Sequence, residues 1–224
     1  MAMADNVRPE LREWRPTAPF GVLRRRAELV DRLRAFFRNR NVLEVDTPVL
    51  QGGANLDHGV VPFRIDTAAG PRFLPTSPEH PLKRLVAAGS GDVWTLAPAF
   101  RSGERGQRHA PEFRMLEWYR VGWDDRRLAL ETIALLAELT GLGAEYDTLT
   151  WRDAFRRHAG IDPHASDAEL FARLGTDAAV AAGDRRVALD LLLTRDVEPQ
   201  LGRGRWTILT DYPADQCEIG RAHV

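Results

Sequence analysis

From Val22 to Arg38 apolar residues recur every three to four positions, with Leu23, Ala27, Val30, Leu33 and Phe37 on one face and arginines and acids on the other. That spacing predicts an amphipathic helix, ended by the polar run Asn39 to Asn41. Val42 to Asp46 then reads as a strand that Thr47-Pro48 stops. The turn-rich stretch Gln51 to Gly59 leads to a strand over Val60 to Ile65, with a hairpin partner at Arg72 to Leu74 across Ala69-Gly70-Pro71. A second helix is expected over Pro78 to Ala88: Ser77 can cap it, Pro78 suits its first position and Gly89 closes it, placing Glu79 in the first turn. Val93 to Ala97 and Met115 to Val121 predict two strands around a polar loop, Ser102 to Ala110, rich in arginine and glycine. Asp124 or Asp125 caps a third helix through Thr140, with Gly141 behind it. Thr150 caps another helix from Trp151, and short helices are expected at Ser166 to Leu174 and Arg185 to Leu193. Hairpin-joined strands flanked by separate helices predict an α+β fold built on an antiparallel sheet, in one domain or part of one.

Composition narrows the class. A chain of 224 residues, 44% hydrophobic and 28% charged, has the apolar material for a core. It holds no apolar run long enough to span a bilayer, so no membrane association is expected. A net charge of -1 removes the bulk positive field of a nucleic-acid clamp, though not a local basic patch. The single cysteine, Cys217, excludes an internal disulfide and a cysteine-built zinc site, and fits a reducing cytoplasm. Residues 1–20 read as a polar leader without the apolar core of an export signal. Lys83 is the only lysine among 31 basic residues, a bias that genomic base composition explains first. It is expected on the second helix with its charge in solvent. His58, His80, His158 and His164 have no metal-ligand spacing, so they read as structural or solvated and no metal site is expected.

Chemistry concentrates between Phe100 and Tyr119, where arginines, a histidine, three glutamates and aromatics surround a glycine-bearing loop. Arginine forks match phosphates, an aromatic face can stack a base, and acids can hold Mg²⁺ or an ammonium. A solvated charged loop is the competing reading. Alternation puts Met115, Glu117 and Tyr119 on one strand face and Leu116 and Trp118 on the other. This is either ordinary half-buried sheet or, because an acid and a phenol share a face, a polar pocket. Glu79, judged from its position alone, is a first-turn acid favoured by the helix dipole.

These residues resemble a family. Phe100-Arg101, His109, Pro111-Glu112-Phe113 and Met115-Leu116-Glu117-Trp118-Tyr119 are similar to motif 2 of class II aminoacyl-tRNA synthetases of the lysyl type. The segment from Ala27 to Pro48, ending Leu43-Glu44-Val45-Asp46-Thr47-Pro48, resembles motif 1, and Thr76-Ser77-Pro78-Glu79 with Leu82-Lys83-Arg84-Leu85 resembles the amino-acid-binding segment between them. The similarity covers roughly residues 20–120 and continues more weakly to about Tyr212. It is nearest to the short paralogues that modify a lysine of elongation factor P. Motif 1 begins about twenty residues from Met1, which leaves no room for an anticodon-binding domain and makes tRNA a poor partner.

The resemblance implies a class II synthetase fold, ATP and Mg²⁺ as cofactors, and lysine or β-lysine as substrate. It also implies a homodimer through motif 1 and elongation factor P as acceptor. The amino-acid carboxylate would attack the α-phosphorus of ATP, pyrophosphate would leave, and an amine of the acceptor would capture the aminoacyl adenylate. Arg101 would be the catalytic residue, holding the α-phosphate. Arg101, Ser102, Gly103, Glu104, His109 and Phe113 would bind ATP, and Ser77, Pro78, Glu79, Glu117 and Tyr119 the amino acid. Two positions depart from the family pattern. Ser102 and Gly103 stand where an asparagine and a glutamate are common, so Glu104 would serve from one residue further on. Ala110 replaces the usual asparagine before Pro-Glu-Phe and removes one ligand contact.

Residues 21–217 are expected to be a partial catalytic domain holding motifs 1 and 2 but no glycine-rich motif 3. Residues 218–224, Glu-Ile-Gly-Arg-Ala-His-Val, reverse-translate into a sequencing-adapter sequence and are expected to be read-through. Two alternatives stay open: a lysine-activating ligase with another acceptor, tRNA included, and a non-catalytic dimeric binding protein.

Overall fold

A computed structural model describes residues 16–55, 60–104, 106 and 109–213. The expectations for the first fifteen residues, His58, Cys217 and the 218–224 tail lie outside them.

Helix α1 (Phe20–Arg38) buries only its last turns: Leu33, Phe36 and Phe37 are inside, whereas Phe20, Val22 and Leu23 are exposed. The predicted stripe is therefore right at its C-terminal end and overextended at its N-terminal end, and Phe36 joins it. Asn41 takes a φ of 55°, a left-handed turn that asparagine tolerates, and swings the chain into β1 (Leu43–Glu44). The hairpin follows as β2 (Arg64–Thr67) and β3 (Gly70–Phe73), shifted along the chain from the expected strands. Helix α2 (Glu79–Ala87) begins one residue later than predicted, with Pro78 in the cap position and no side-chain cap on it.

The central sheet has the order β1-β4-β5, with β4 (Val93–Phe100) and β5 (Glu112–Tyr119) antiparallel over their full length and Thr95 opposite Glu117. Here the antiparallel expectation needs correction. β1 runs parallel to β4, because the chain between them crosses over through the hairpin and α2 before returning. The sheet is mixed, within an α+β fold.

One face of this sheet meets α1 and α3 (Asp125–Thr140). Phe37 stacks on Trp94 with ring centroids 4.7 Å apart, and Leu96, Leu116 and Trp118 pack on the same cluster. Asp124 caps α3 by accepting from the Arg127 amide, and Gly141 ends it at φ 76°. Glu131 is buried in α3 and accepts from Trp118 Nε1 at 3.1 Å and from Arg120 at 2.8 Å. Arg120 also holds Asp92 at 2.8 Å, so the end of β5 is fixed by a desolvated ion network. With Leu116 and Trp118 turned to this core, Glu117 and Tyr119 are left to the opposite face, against which α2 packs.

A second core forms under β6 (Tyr146–Thr150), α4 (Trp151–Ala154), α5 (Asp167–Leu174), α6 (Ala178–Ala181), α7 (Arg185–Leu192) and β7 (Trp206–Thr210). Trp151 and Phe155 meet at 4.2 Å inside it. Thr150 caps α4 as predicted, and Ser166 with Glu169 forms a reciprocal capping box on α5. Strands β6 and β7 were not expected. They pair in parallel across the intervening helices, a long-range contact that leaves little local signature.

Candidate active site

The strand pair β4–β5 and the segment before α2 are bonded together at the end of the sheet. The Phe100 amide donates to the Pro75 carbonyl at 2.8 Å, and Arg101 Nε donates to the Thr76 carbonyl at 3.3 Å. The Arg101 amide donates to Pro111 at 2.9 Å, which closes the loop between the strands. Its guanidinium lies 5.2 Å from the centre of the Phe113 ring and 3.5 Å from Glu104. Arg101, Glu104 and Phe113 thus come together, as expected of a cation, an acid and a stacking face.

Ser102 and Gly103 form the turn out of β4. The Ser102 amide donates to Val61 at 2.7 Å, and Gly103 sits at φ 86°, a conformation that any side chain would strain. Gly106 and His109 then bond to each other through their backbones, at 3.2 and 3.3 Å, across a narrow loop neck. His109 is exposed, and among the described residues no hydrogen bond joins its side chain to Arg101 or Glu104.

The second group lies on the α2 side of the sheet. Tyr119 Oη donates to Glu117 Oε1 at 2.9 Å. Burial pushes the phenol far above its ordinary value, and the charge of Glu117, its hydrogen bond and the charge of Glu79 push the same way. Glu79, Glu117 and Tyr119 therefore share one electrostatic environment. Ser77 is buried and Pro78 starts the helix. The Glu79 amide donates to Ser77 Oγ at 3.4 Å, so the serine supports the first turn from just outside it.

Lys83 corrects its prediction. Its ammonium is not left to solvent: Nζ pairs with Glu79 Oε1 one turn back on α2, with both side chains partly buried. The signal was present, because an acid four residues before a lysine on a helix is the favoured order for such a pair. Asn55 escaped the sequence reading entirely. It is buried, and its Nδ2 donates to Ser77 Oγ at 2.9 Å. Its Oδ1 and Thr76 Oγ1 are buried without hydrogen-bond partners among the described residues. A buried polar atom left unpaired costs roughly 1–3 kcal/mol.

An open depression of about 450 Å³ lies past the end of β5, lined by Arg40, Arg120, Trp123, Arg127, Leu130 and Glu131. It surrounds the ion network that fixes the strand and is separate from the two groups above.

The class II tRNA synthetase family (D, K and N) matches residues 10–214. The chain belongs to that family. Among curated proteins, an elongation factor P--(R)-β-lysine ligase of Sodalis glossinidius (strain morsitans) is 40% identical over 217 residues, covering 92% of this chain and 66% of the relative. Proteins of the same name from Yersinia enterocolitica and Yersinia pestis (strain Pestoides F) are each 38% identical, covering 94% and 92% of this chain and 68% and 66% of the relatives. The chain spans about two thirds of the length of these curated relatives.

In this class II synthetase chain β4 and β5 hold the residues that resemble motif 2, and the segment before α2 is bonded to the end of that strand pair. Among the described residues no helix is long and apolar enough to cross a membrane.

Proposed function

We propose that the protein activates lysine or β-lysine with ATP and transfers it to a lysine of elongation factor P. The observation that carries this reading is the pairing of two groups on one strand hairpin: Arg101 with Phe113 and Glu104 at one end, and Glu117 with Tyr119 and Glu79 on the α2 face. A phosphate-matching fork and an ammonium-matching acidic pocket, side by side, suit a reaction that joins an amino acid to a nucleotide.

In this reading the lysine side chain and α-amino group are recognised by Glu79, Glu117 and the Tyr119 phenol, with Ser77 and Pro78 shaping the wall. The amino-acid carboxylate attacks the α-phosphorus of ATP and pyrophosphate leaves. Arg101 neutralises charge on the α-phosphate, anchored through Nε to the Thr76 carbonyl. Phe113 stacks the adenine, and Ser102, Gly103, Glu104 and His109 border the nucleotide. An amine of the acceptor protein then attacks the adenylate carbonyl and releases AMP. Mg²⁺ bound with the nucleotide would offset the charge of its phosphates, with Glu104 the loop acid beside it.

The exposed apolar side chains of α1, Phe20, Val22 and Leu23, with Leu43, Val49 and Leu50 beyond it, support a homodimer through motif 1. The single cysteine supports a cytoplasmic setting. Purified protein, ATP and labelled lysine or (R)-β-lysine, incubated with elongation factor P and separately with tRNA, test the reading. Label on the factor and none on tRNA is expected; label on tRNA alone points to the alternative acceptor.

A further inference from the structure

The depression past the end of β5 is lined by three arginines, and each guanidinium lies over an aromatic ring. Arg40 stands 3.5 Å from the centre of the Phe36 ring, while Arg120 and Arg127 stand 4.2 and 3.8 Å from that of Trp123. A ring face holds a guanidinium by cation–π attraction and leaves the N–H groups around its rim to donate elsewhere. Such forks are oriented before any ligand arrives, which lowers the entropy cost of binding one.

The acids near them are already engaged. Glu131 accepts from Trp118 and Arg120, and Asp92 accepts from Arg120 and from the Val121 amide at 2.7 Å. Asp124 is occupied in capping α3 through the Arg127 amide. Arg120, with 6% of its side chain exposed, is thus neutralised by two carboxylates. Arg40 is not: its Nη1 donates to the Phe36 carbonyl at 3.0 Å, and its Nε stands 4.0 Å from Glu131, which Arg120 already holds. Arg127 is exposed, and among the described residues no carboxylate pairs with its guanidinium. Two of the three forks therefore keep charge and donors unspent.

We propose that this depression is a binding site for a phosphate monoester, held by Arg40 and Arg127 with its organic group against the half-exposed Leu130. A carboxylate has two oxygens and fills one fork. The three terminal oxygens of a phosphate monoester can meet two, and its charge of about -1.5 to -2 at pH 7 suits two cations. The volume, about 450 Å³, is that of a small-molecule site. The inference is independent of the lysine pocket and of the nucleotide proposed at Arg101.

Calorimetric titration with phenyl phosphate, and with benzoate as its carboxylate counterpart, tests the proposal. The wild-type protein is expected to bind phenyl phosphate saturably below about 10 mM, and benzoate roughly tenfold more weakly or worse. Arg127→Gln is expected to weaken phenyl phosphate by about tenfold or more, the usual worth of a charge-assisted hydrogen bond, and Arg40→Gln to do the same. Arg127→Lys, which keeps the charge but loses the fork, is expected to recover part of that loss. Arg101→Gln is expected to retain the binding that Arg127→Gln removes. No saturable binding by the wild type, or an affinity that Arg127→Gln or Arg40→Gln leaves unchanged, overturns the proposal. So does binding lost in Arg101→Gln alone, which puts the anion at the candidate nucleotide site. Benzoate bound as tightly as phenyl phosphate overturns the assignment to phosphate.

Discussion

Tyr119 donates its phenolic hydrogen to Glu117, two residues back on the same face of β5, at 2.9 Å. Burial and the two neighbouring carboxylates push the phenol far above its ordinary range, so Tyr119 is the donor of this bond. Tyr119→Phe removes this donor from Glu117. Lysine affinity is expected to fall roughly tenfold or more, the usual worth of a hydrogen bond to a charged group. Titration calorimetry on the variant checks this, and an unchanged affinity argues against Tyr119 as part of the pocket.

Arg101 divides its guanidinium between an anchor, the Thr76 carbonyl at 3.3 Å, and the space beside Phe113. A lysine cannot do both. Arg101→Lys is expected to slow amino-acid-dependent exchange of pyrophosphate into ATP by about a hundredfold, the usual loss when one transition-state donor is misplaced. Circular dichroism should show the fold intact.

Phe37 is fully buried and stacked on Trp94, at the centre of the core that joins α1, the sheet and α3. Phe37→Ala is expected to lower the free energy of unfolding by about 3–5 kcal/mol. Val180, exposed on α6, serves as the control: Val180→Ala should stay within about 0.5 kcal/mol. Urea unfolding of both variants makes the comparison.

His158 titrates below its ordinary value, first because of burial and then because Arg157 and Arg203 are near. The folded state therefore binds this proton less well than the unfolded chain. Its contribution to stability is complete above the unfolded value near 6.5 and is lost as the pH falls through that value toward the folded one. His158→Gln is expected to lose less stability than wild type between about pH 7.5 and about pH 5. Parallel loss in thermal melts of both proteins would contradict the assignment.

Local chemistry explains which features could be read ahead of the structure. The caps at Asp124 and Thr150 and the stop at Gly141 are short-range events, and all three occur where turn and cap chemistry puts them. Alternation along β5 separated Glu117 and Tyr119 from Leu116 and Trp118, as the core confirms. Two kinds of feature were not legible. The parallel pairings of β1 with β4 and β6 with β7 depend on crossovers, and a short strand does not carry the direction of its partner. Asn55 and Lys83 matter through what they touch, Ser77 in one case and Glu79 in the other. The Lys83 pair could be found from its spacing, but the Asn55 contact crosses from a loop without periodicity.

Exchange of labelled pyrophosphate into ATP, with lysine, (R)-β-lysine and glutamate offered in turn, tests the central claim most directly. Exchange with lysine or (R)-β-lysine, none with glutamate, and its loss in Glu117→Gln is the predicted result. Exchange with neither lysine form, or equal exchange with glutamate, would contradict a lysine-activating site built on Arg101, Glu79, Glu117 and Tyr119.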